Sequence, residues 1–337
     1  MHKKHLAILI LSLFILVTVF AYGAWNNYGG NADMAATGKV VVVIRAGMST
    51  GEIADMLHKN NLISSPAFFR IQSRLANLDS SMQAGEYELE GGMTNGRIIE
   101  VFAKGMVRQL KITIPEGFTI EQIARKIETE GFGKADTFKL LAKDFAPYEY
   151  MKSENTEITY MAEGFAYPST YYVTKGATEK EILTMMVKEF DAALRAEYRK
   201  MAQERNLNIR DLVNLASLVE KEAIFADERP LIAGVFWKRL QIGMPLQSDT
   251  TIQYILGTQK SEISIADTKI NSPYNTYQHT GLPPGPIANP GLGSIEAVLR
   301  PKETKFLYFV ANLEGRHNFT ETYQEHLHEI EKIHGQQ

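Results

Sequence analysis

Glu220-Lys221-Glu222 is the stretch of this chain whose residue types and spacing most readily do chemistry. A carboxylic acid kept neutral near pH 7 can hand its proton to a leaving oxygen, and an apolar setting is what keeps it neutral. At about 100° per residue on a helical wheel, Leu212, Leu215, Ala216, Val219 and Ala223 form one apolar face and Lys221 points to the opposite side. Glu220 and Glu222 fall on opposite borders of that face. Two residues apart, they do not face each other and so are not a catalytic pair. Glu222 lies between Leu215 and Leu218, whereas Glu220 borders Val213, Ala216 and Ser217, which makes Glu222 the better general-acid candidate. Solvation, or pairing with Lys221, Arg229 or Lys238, is the structural alternative for both.

Downstream comes a polar and aromatic set that reads like a sugar-binding cleft. Gln247, Ser248 and Asp249 follow a helix and are placed to hydrogen-bond hydroxyls or N-acetyl groups; alternatively Asp249 caps the helix that holds Tyr254. Asn275 suits an amide-reading role, and Tyr274 and Tyr277 offer ring faces to a sugar or to a core. His317 is a turn residue or a minor substrate contact. His279, His326, His328 and His334 lack metal-ligand spacing with carboxylates. No phosphate loop, dinucleotide fingerprint or nucleophile elbow occurs, so no cofactor is expected.

The elements that must hold these residues announce themselves by repetition. Val40–Ile44 is followed by Gly47-Met48-Ser49 and then Glu52-Ile53; Tyr87–Leu89 by Gly92-Met93-Thr94 and Arg97-Ile98. Ile112–Ile114 is followed by Gly117-Phe118-Thr119 and Gln122-Ile123, and Tyr171–Val173 by Gly176-Ala177-Thr178 and Glu181-Ile182. Each copy predicts a short strand, a glycine turn and a helix capped by Ser or Thr, with Glu52, Gln122 and Glu181 completing capping boxes. Residues 138–162 read as helical with loops. Helices are predicted over 179–204, 209–225, 229–241 and 323–334. Residues 271–293, dense in Pro, Gly and Asn, predict a fixed non-helical loop. Phe306–Val310 reads as a strand, and Glu314-Gly315 as the turn into a returning strand with His317 and Phe319.

The length of 337 residues suits two or three compact units, and 45% apolar with 22% charged residues is ordinary globular composition. A net charge of −3 argues against nucleic acid as the main partner. With no cysteine, thiol catalysis and disulfides are excluded. Leu6 to Trp25 carries no charge, and about 20 such residues can cross a membrane as a helix. Lys3 and Lys4 favour a cytoplasmic N-terminus with the remainder outside; a cleaved signal peptide is the alternative, given Ala21-Tyr22-Gly23-Ala24.

Several blocks carry a resemblance. They are Leu215-Ala216-Ser217-Leu218-Val219-Glu220-Lys221-Glu222-Ala223, Glu228-Arg229-Pro230, Val235 to Asp249, and Tyr274-Asn275-Thr276-Tyr277. Gly281 to Gly291, Leu307 to Ala311 with His317 to Thr320, and Glu163 to Tyr171 complete the set. In this order the chain resembles the endolytic murein transglycosylase family, also called MltG or YceG-like. The resemblance implies an α+β protein: an N-terminal transmembrane helix, LysM-like strand–turn–helix modules, then a mixed α/β catalytic domain. On this sequence that means an anchor at 1–25, a linker at 26–38, a LysM-like region at 39–130 and the catalytic domain at 131–337. It implies a single-pass inner-membrane protein whose catalytic domain faces the periplasm. It also implies a lyase that cuts the MurNAc–GlcNAc bond of glycan strands, leaves 1,6-anhydro-MurNAc ends, limits nascent strand length and works near cell-wall synthases. The second glutamate of Glu-Lys-Glu matches the catalytic one, hence Glu222, and Asn289 joins Gln247, Ser248, Asp249, Tyr274, Asn275, Tyr277 and His317 as substrate-binding residues. The family's Thr-Asp-Pro after the glutamine is here Ser248-Asp249-Thr250. A muramidase using Asp249 as second carboxylate, or a peptidoglycan-binding scaffold without catalysis, are the rival readings.

Overall fold

Val42 and Ile44 turn into a core while Val41 and Val43 stay exposed, the alternation of a strand with one wet face. In the computed structural model, which describes Ser12, Leu16, residues 38–258, Lys260 and residues 262–335, they belong to β1 (Lys39–Ile44). Apart from Ser12 and Leu16, the anchor expected at 6–25 lies outside the described residues, as does the linker before Gly38. Among the described residues no helix is long and apolar enough to cross a membrane.

All four predicted strand–turn–helix copies form. The first is β1 followed by α1 (Thr50–Lys59), capped by Ser49 with Glu52 closing the box. Then comes α2 (Pro66–Leu75), with Ser65 as cap and proline at its first position. The second copy is β2 (Gly85–Glu90) and α3 (Asn95–Ala103), capped by Thr94. β1 and β2 pair antiparallel from Lys39↔Glu90 to Ile44↔Gly85, and Ile53, Leu57, Phe69, Tyr87, Leu89, Ile98 and Phe102 close the core beneath them.

The third copy is β3 (Gln109–Thr113) with α4 (Ile120–Thr129), capped by Thr119 and Gln122. After α5 (Ala135–Asp144) the fourth follows, β4 (Thr170–Thr174) with α6 (Glu179–Ala193), capped by Thr178 and Glu181. β3 pairs with β4, not with the earlier strands. The copies therefore close in twos, and the compact units divide between Leu110 and Lys111. The sequence reading placed that division after Glu130. It differs because Ile112, Ile114, Ile120, Ile123 and Ile127 all bury in the second core.

The helix expected over 179–204 is two helices, α6 and α7 (Ala196–Glu204). Leu194 is buried between them, and Arg199 donates to the carbonyls of Leu194 (2.9 Å) and Asp191 (3.2 Å), satisfying groups a helix end leaves open. α8 (Ile209–Glu222) is the axis of this unit. Its Leu212, Val213, Leu215, Ala216, Leu218 and Val219 are fully buried against α9 (Arg229–Gln241) and α11 (Leu292–Leu299), with α10 (Asp249–Leu256) alongside. At about 1.5–3 kcal/mol per buried aliphatic side chain, this face fixes the position of everything on its last turn. The hairpin β5 (Tyr308–Ala311) and β6 (His317–Thr320) and then α12 (Tyr323–His334) complete the chain.

Candidate active site

The two glutamates at the end of α8 diverge. Glu220 reaches α11: one oxygen accepts from the Gly291 amide (3.1 Å) and the Ser294 hydroxyl (2.6 Å), the other faces Arg229 at 3.5 Å. Its side chain is only 6% exposed. A carboxylate there supplies the N-terminal cap that α11 lacks from its own residues. This is the ion-paired alternative, realised for Glu220.

Glu222 leaves the helix on the other border, where Ala223 turns the chain into extended conformation. Its Oε1 accepts from the Ser248 hydroxyl and from Thr250 Oγ1 at 3.3 Å, and the two hydroxyl oxygens lie 2.6 Å apart. Ser248 is fixed in turn: its amide donates to Thr276 Oγ1 (3.0 Å) and its carbonyl accepts from Thr251 Oγ1 (2.7 Å). Burial pushes the Glu222 carboxyl above its ordinary range. Ser248, His317 and Thr250 pull it back, and Asp249 pushes it further up. With both donors on Oε1, Oε2 is the oxygen left to carry an acid proton. Ser248→Ala removes a bond that favours the ionised form. The alkaline limb of a pH–rate profile should then move to higher pH; a limb that stays or moves down contradicts this arrangement.

Around Glu222 the expected substrate residues separate into two groups. Gln247 is exposed, with a left-handed φ of +46° held by its amide bond to the Thr276 carbonyl (3.0 Å). Asp249 is the first residue of α10 and accepts from the Tyr277 hydroxyl at 2.6 Å; it makes no cap, that position falling to Ser248. Burial raises the Asp249 carboxyl as well. His317 starts β6 with its ring 5% exposed, and its Nδ1 lies 2.9 Å from Glu228. Arg239 is buried and donates to the carbonyls of Leu307 (2.6 Å) and Leu246 (2.5 Å), tying α9 to the segment before Gln247.

Tyr274, Asn275 and Asn289, expected to bind substrate, are buried, with polar groups engaged inside the protein. Asn275 is wholly buried and folds its own loop, donating to the carbonyls of Thr268 (3.0 Å) and Ile270 (2.7 Å) and accepting from the Tyr277 amide (3.0 Å). Asn289, also wholly buried, accepts from the Ala166 amide (2.8 Å) and donates to the Phe118 carbonyl (2.9 Å) and to Glu163 (3.0 Å). The Tyr274 hydroxyl accepts from the Thr159 amide (3.2 Å), and its ring packs on Tyr254 with centroids 5.1 Å apart. Tyr274 still contributes to the wall of a cleft of about 420 Å³ that also includes Thr119, Arg125, Tyr160, Lys221, Thr250 and Tyr254. Thr250 joins that cleft to Glu222. Lys221, expected to point away from the apolar face, lines the cleft and reaches the Gly117 carbonyl at 3.5 Å.

Sequence reasoning assigned Glu163 no chemical role, although it opens one of the resemblance blocks. It is 1% exposed and joins the amide of Ile120 at the start of α4 (3.0 Å), Asn289 (3.0 Å) and the Tyr254 hydroxyl (3.3 Å). Burial pushes its carboxyl up to about 8 from an ordinary 4.5. The folded state then keeps a proton that the unfolded chain releases above 4.5. Stability contributed by this group declines as pH rises from about 5 to about 8 and is level beyond. Glu163→Gln should flatten that part of the Tm-against-pH curve; an unaltered slope contradicts the assignment.

A half-buried, hydroxyl-anchored carboxylic acid at the end of a core helix, beside a polar cleft, is a candidate general acid on a mixed α+β fold. A family model described as the YceG-like family matches residues 42–332, and the chain belongs to that family. It is 36% identical over 299 residues to a Bacillus subtilis (strain 168) protein named endolytic murein transglycosylase, covering 85% of this chain and 82% of that protein. A Streptococcus pneumoniae (serotype 2, strain D39) protein of the same name is 30% identical over 96% of this chain, which spans 64% of that longer protein. The crystal structure of a yceG-like protein from Listeria monocytogenes superposes with a TM-score of 0.59 at 34% identity, covering 86% of this chain and 98% of that one.

Proposed function

We propose that this chain is an endolytic peptidoglycan lytic transglycosylase, a lyase acting on the MurNAc–GlcNAc bond of glycan strands. The observation that carries the mechanism is the one-sided hydrogen bonding of Glu222, with Ser248 and Thr250 on Oε1 and the pKa raised by burial. Glu222 protonates the bridging oxygen from Oε2, and the bond to C1 of the muramyl residue breaks. The carboxylate so formed takes the proton of the muramyl 6-hydroxyl, whose oxygen closes on C1 and gives a 1,6-anhydro end. One carboxyl serves as acid and then base, so its half-buried setting must tolerate both charge states. The Ser248 and Thr250 hydroxyls support the charged one.

Gln247, Asp249 and Tyr277 form the polar edge available to sugar hydroxyls and N-acetyl groups, and His317 orients behind them. The order β1-α1-α2-β2 in the first unit supports the LysM-like reading and a second hold on the glycan. The uncharged run Leu6–Trp25 supports a single-pass inner-membrane anchor with the rest of the chain outside, within reach of cell-wall synthases. Alkaline extraction of membranes tests the anchor: release of the full-length chain into the supernatant speaks against it. For the reaction, purified strands are incubated with the full-length chain in detergent and the products weighed. Ends lighter by one water support the transglycosylase. Full-mass reducing ends indicate the hydrolase using Asp249, and intact strands that remain bound indicate the scaffold.

A further inference from the structure

The cleft beside Glu222 contains positive charge that the reaction above does not use. Lys221 lines it from the last turn of α8 and is half-buried. Among the described residues it has no ion pair, only the 3.5 Å contact with the Gly117 carbonyl. The carboxyls nearest to it are engaged elsewhere: Glu220 with Arg229, Gly291 and Ser294, Glu163 with Ile120, Asn289 and Tyr254, and Glu222 with Ser248 and Thr250. Burial lowers the pKa of Lys221 and outweighs the opposing pull of Glu220, Glu163 and Glu222, none of which forms an ion pair with it. Arg125 lines the same cleft from α4, exposed and likewise without an ion pair among the described residues. Among the described residues the one acid of the cleft wall, Glu121, is held by the Tyr160 hydroxyl (2.5 Å) and faces Lys139 at 3.6 Å.

Half-burying an ammonium without an ion pair costs free energy, and a cleft that retains one beside an exposed arginine is suited to an anion. If the substrate is a murein strand, as proposed above, its sugar hydroxyls and N-acetyl groups are neutral. Its anions are carboxylates on the lactyl group of the muramyl residue, either the lactyl acid itself or the peptide joined to it. We propose that Lys221, assisted by Arg125, binds a carboxylate of this lactyl–peptide arm. The cleft reads the arm while Glu222 at its edge cuts the backbone.

The test measures binding to the full-length Glu222→Gln protein, which holds strands without consuming them. Peptide-bearing and peptide-free strands are compared, each before and after amidation of their carboxylates. Amidation should weaken binding about ten-fold in whichever preparation supplies the carboxylate, and the preparation affected identifies peptide or lactyl acid as the source. Adding Lys221→Met should weaken binding of the free-acid strands by a similar factor and of the amidated strands less than two-fold, with Lys221→Arg restoring most of the loss. Equal binding of free and amidated strands by the Glu222→Gln protein overturns the proposal, even if Lys221→Met does not fold. So does a Lys221→Met loss that is the same for both. Anhydro-end formation by the unsubstituted chain on the same strands is scored in parallel, so failure of the transglycosylase reading is seen separately from failure of the carboxylate site.

Discussion

Glu222→Gln is expected to lower strand cleavage about 1,000-fold or more, while the protein melts at or above the temperature of the parent. General acid–base catalysis contributes about 10²–10⁴-fold, and here a single group serves both proton transfers. Glutamine keeps a carbonyl oxygen to accept from Ser248 and Thr250, so the packing around α8 is retained. It also removes a carboxyl that is costly to ionise where it sits, which accounts for equal or greater stability near pH 7. Glu220→Gln has the opposite signature. It weakens the cap of α11 and the approach of Arg229, lowering the Tm, yet leaves cleavage within about ten-fold, because no proton transfer depends on it. Cleavage assays and thermal melts on both variants decide the matter. Loss of activity in Glu220→Gln with full activity in Glu222→Gln reverses the assignment.

Asn289→Ala is expected to destabilise the protein by about 3 kcal/mol, a fall in Tm of roughly 6–12 °C for a unit of this size. The reason is the hydrogen bonds the amide makes from a fully buried position. Its loss leaves the buried Ala166 amide without an acceptor and removes one of the donors that hold Glu163. A sugar-reading asparagine would behave otherwise: its alanine variant would raise KM and leave the Tm in place. Calorimetry alongside a KM measurement separates the two, and an unshifted Tm contradicts the structural role.

What was legible in the sequence is what depends on neighbours along the chain. The four caps at Ser49, Thr94, Thr119 and Thr178 were readable because a cap needs only the next three residues. The apolar neighbours of Glu222 were readable from helical periodicity, since Leu215 and Leu218 share its side of α8, but the choice of Glu222 over Glu220 as catalytic rests on the family resemblance. Pairing of the strands was not legible. Four similar copies do not say that β3 joins β4, and so the division after Leu110 was missed. α11 was also missed. Gly291 and Gly293 disfavour a helix locally, and its N-terminus is satisfied by Glu220, 71 residues earlier. The burial of Asn275 and Asn289 was not legible either, for a related reason. In a Pro- and Gly-rich loop an amide that reads a ligand and one that ties the loop look alike, and only burial tells them apart. Glu163 followed no periodicity at all; its role exists because α4, α10 and the Asn289 loop converge on it.

The most direct test of the central claim is the fate of water oxygen when the full-length chain digests purified strands in ¹⁸O-labelled water. Closure of the muramyl 6-hydroxyl on C1, with Glu222 as acid and then base, predicts new ends that are one water lighter and carry no ¹⁸O. New ends of full mass bearing one ¹⁸O would mean that water attacks C1, and would contradict the role of Glu222 as the base for the 6-hydroxyl.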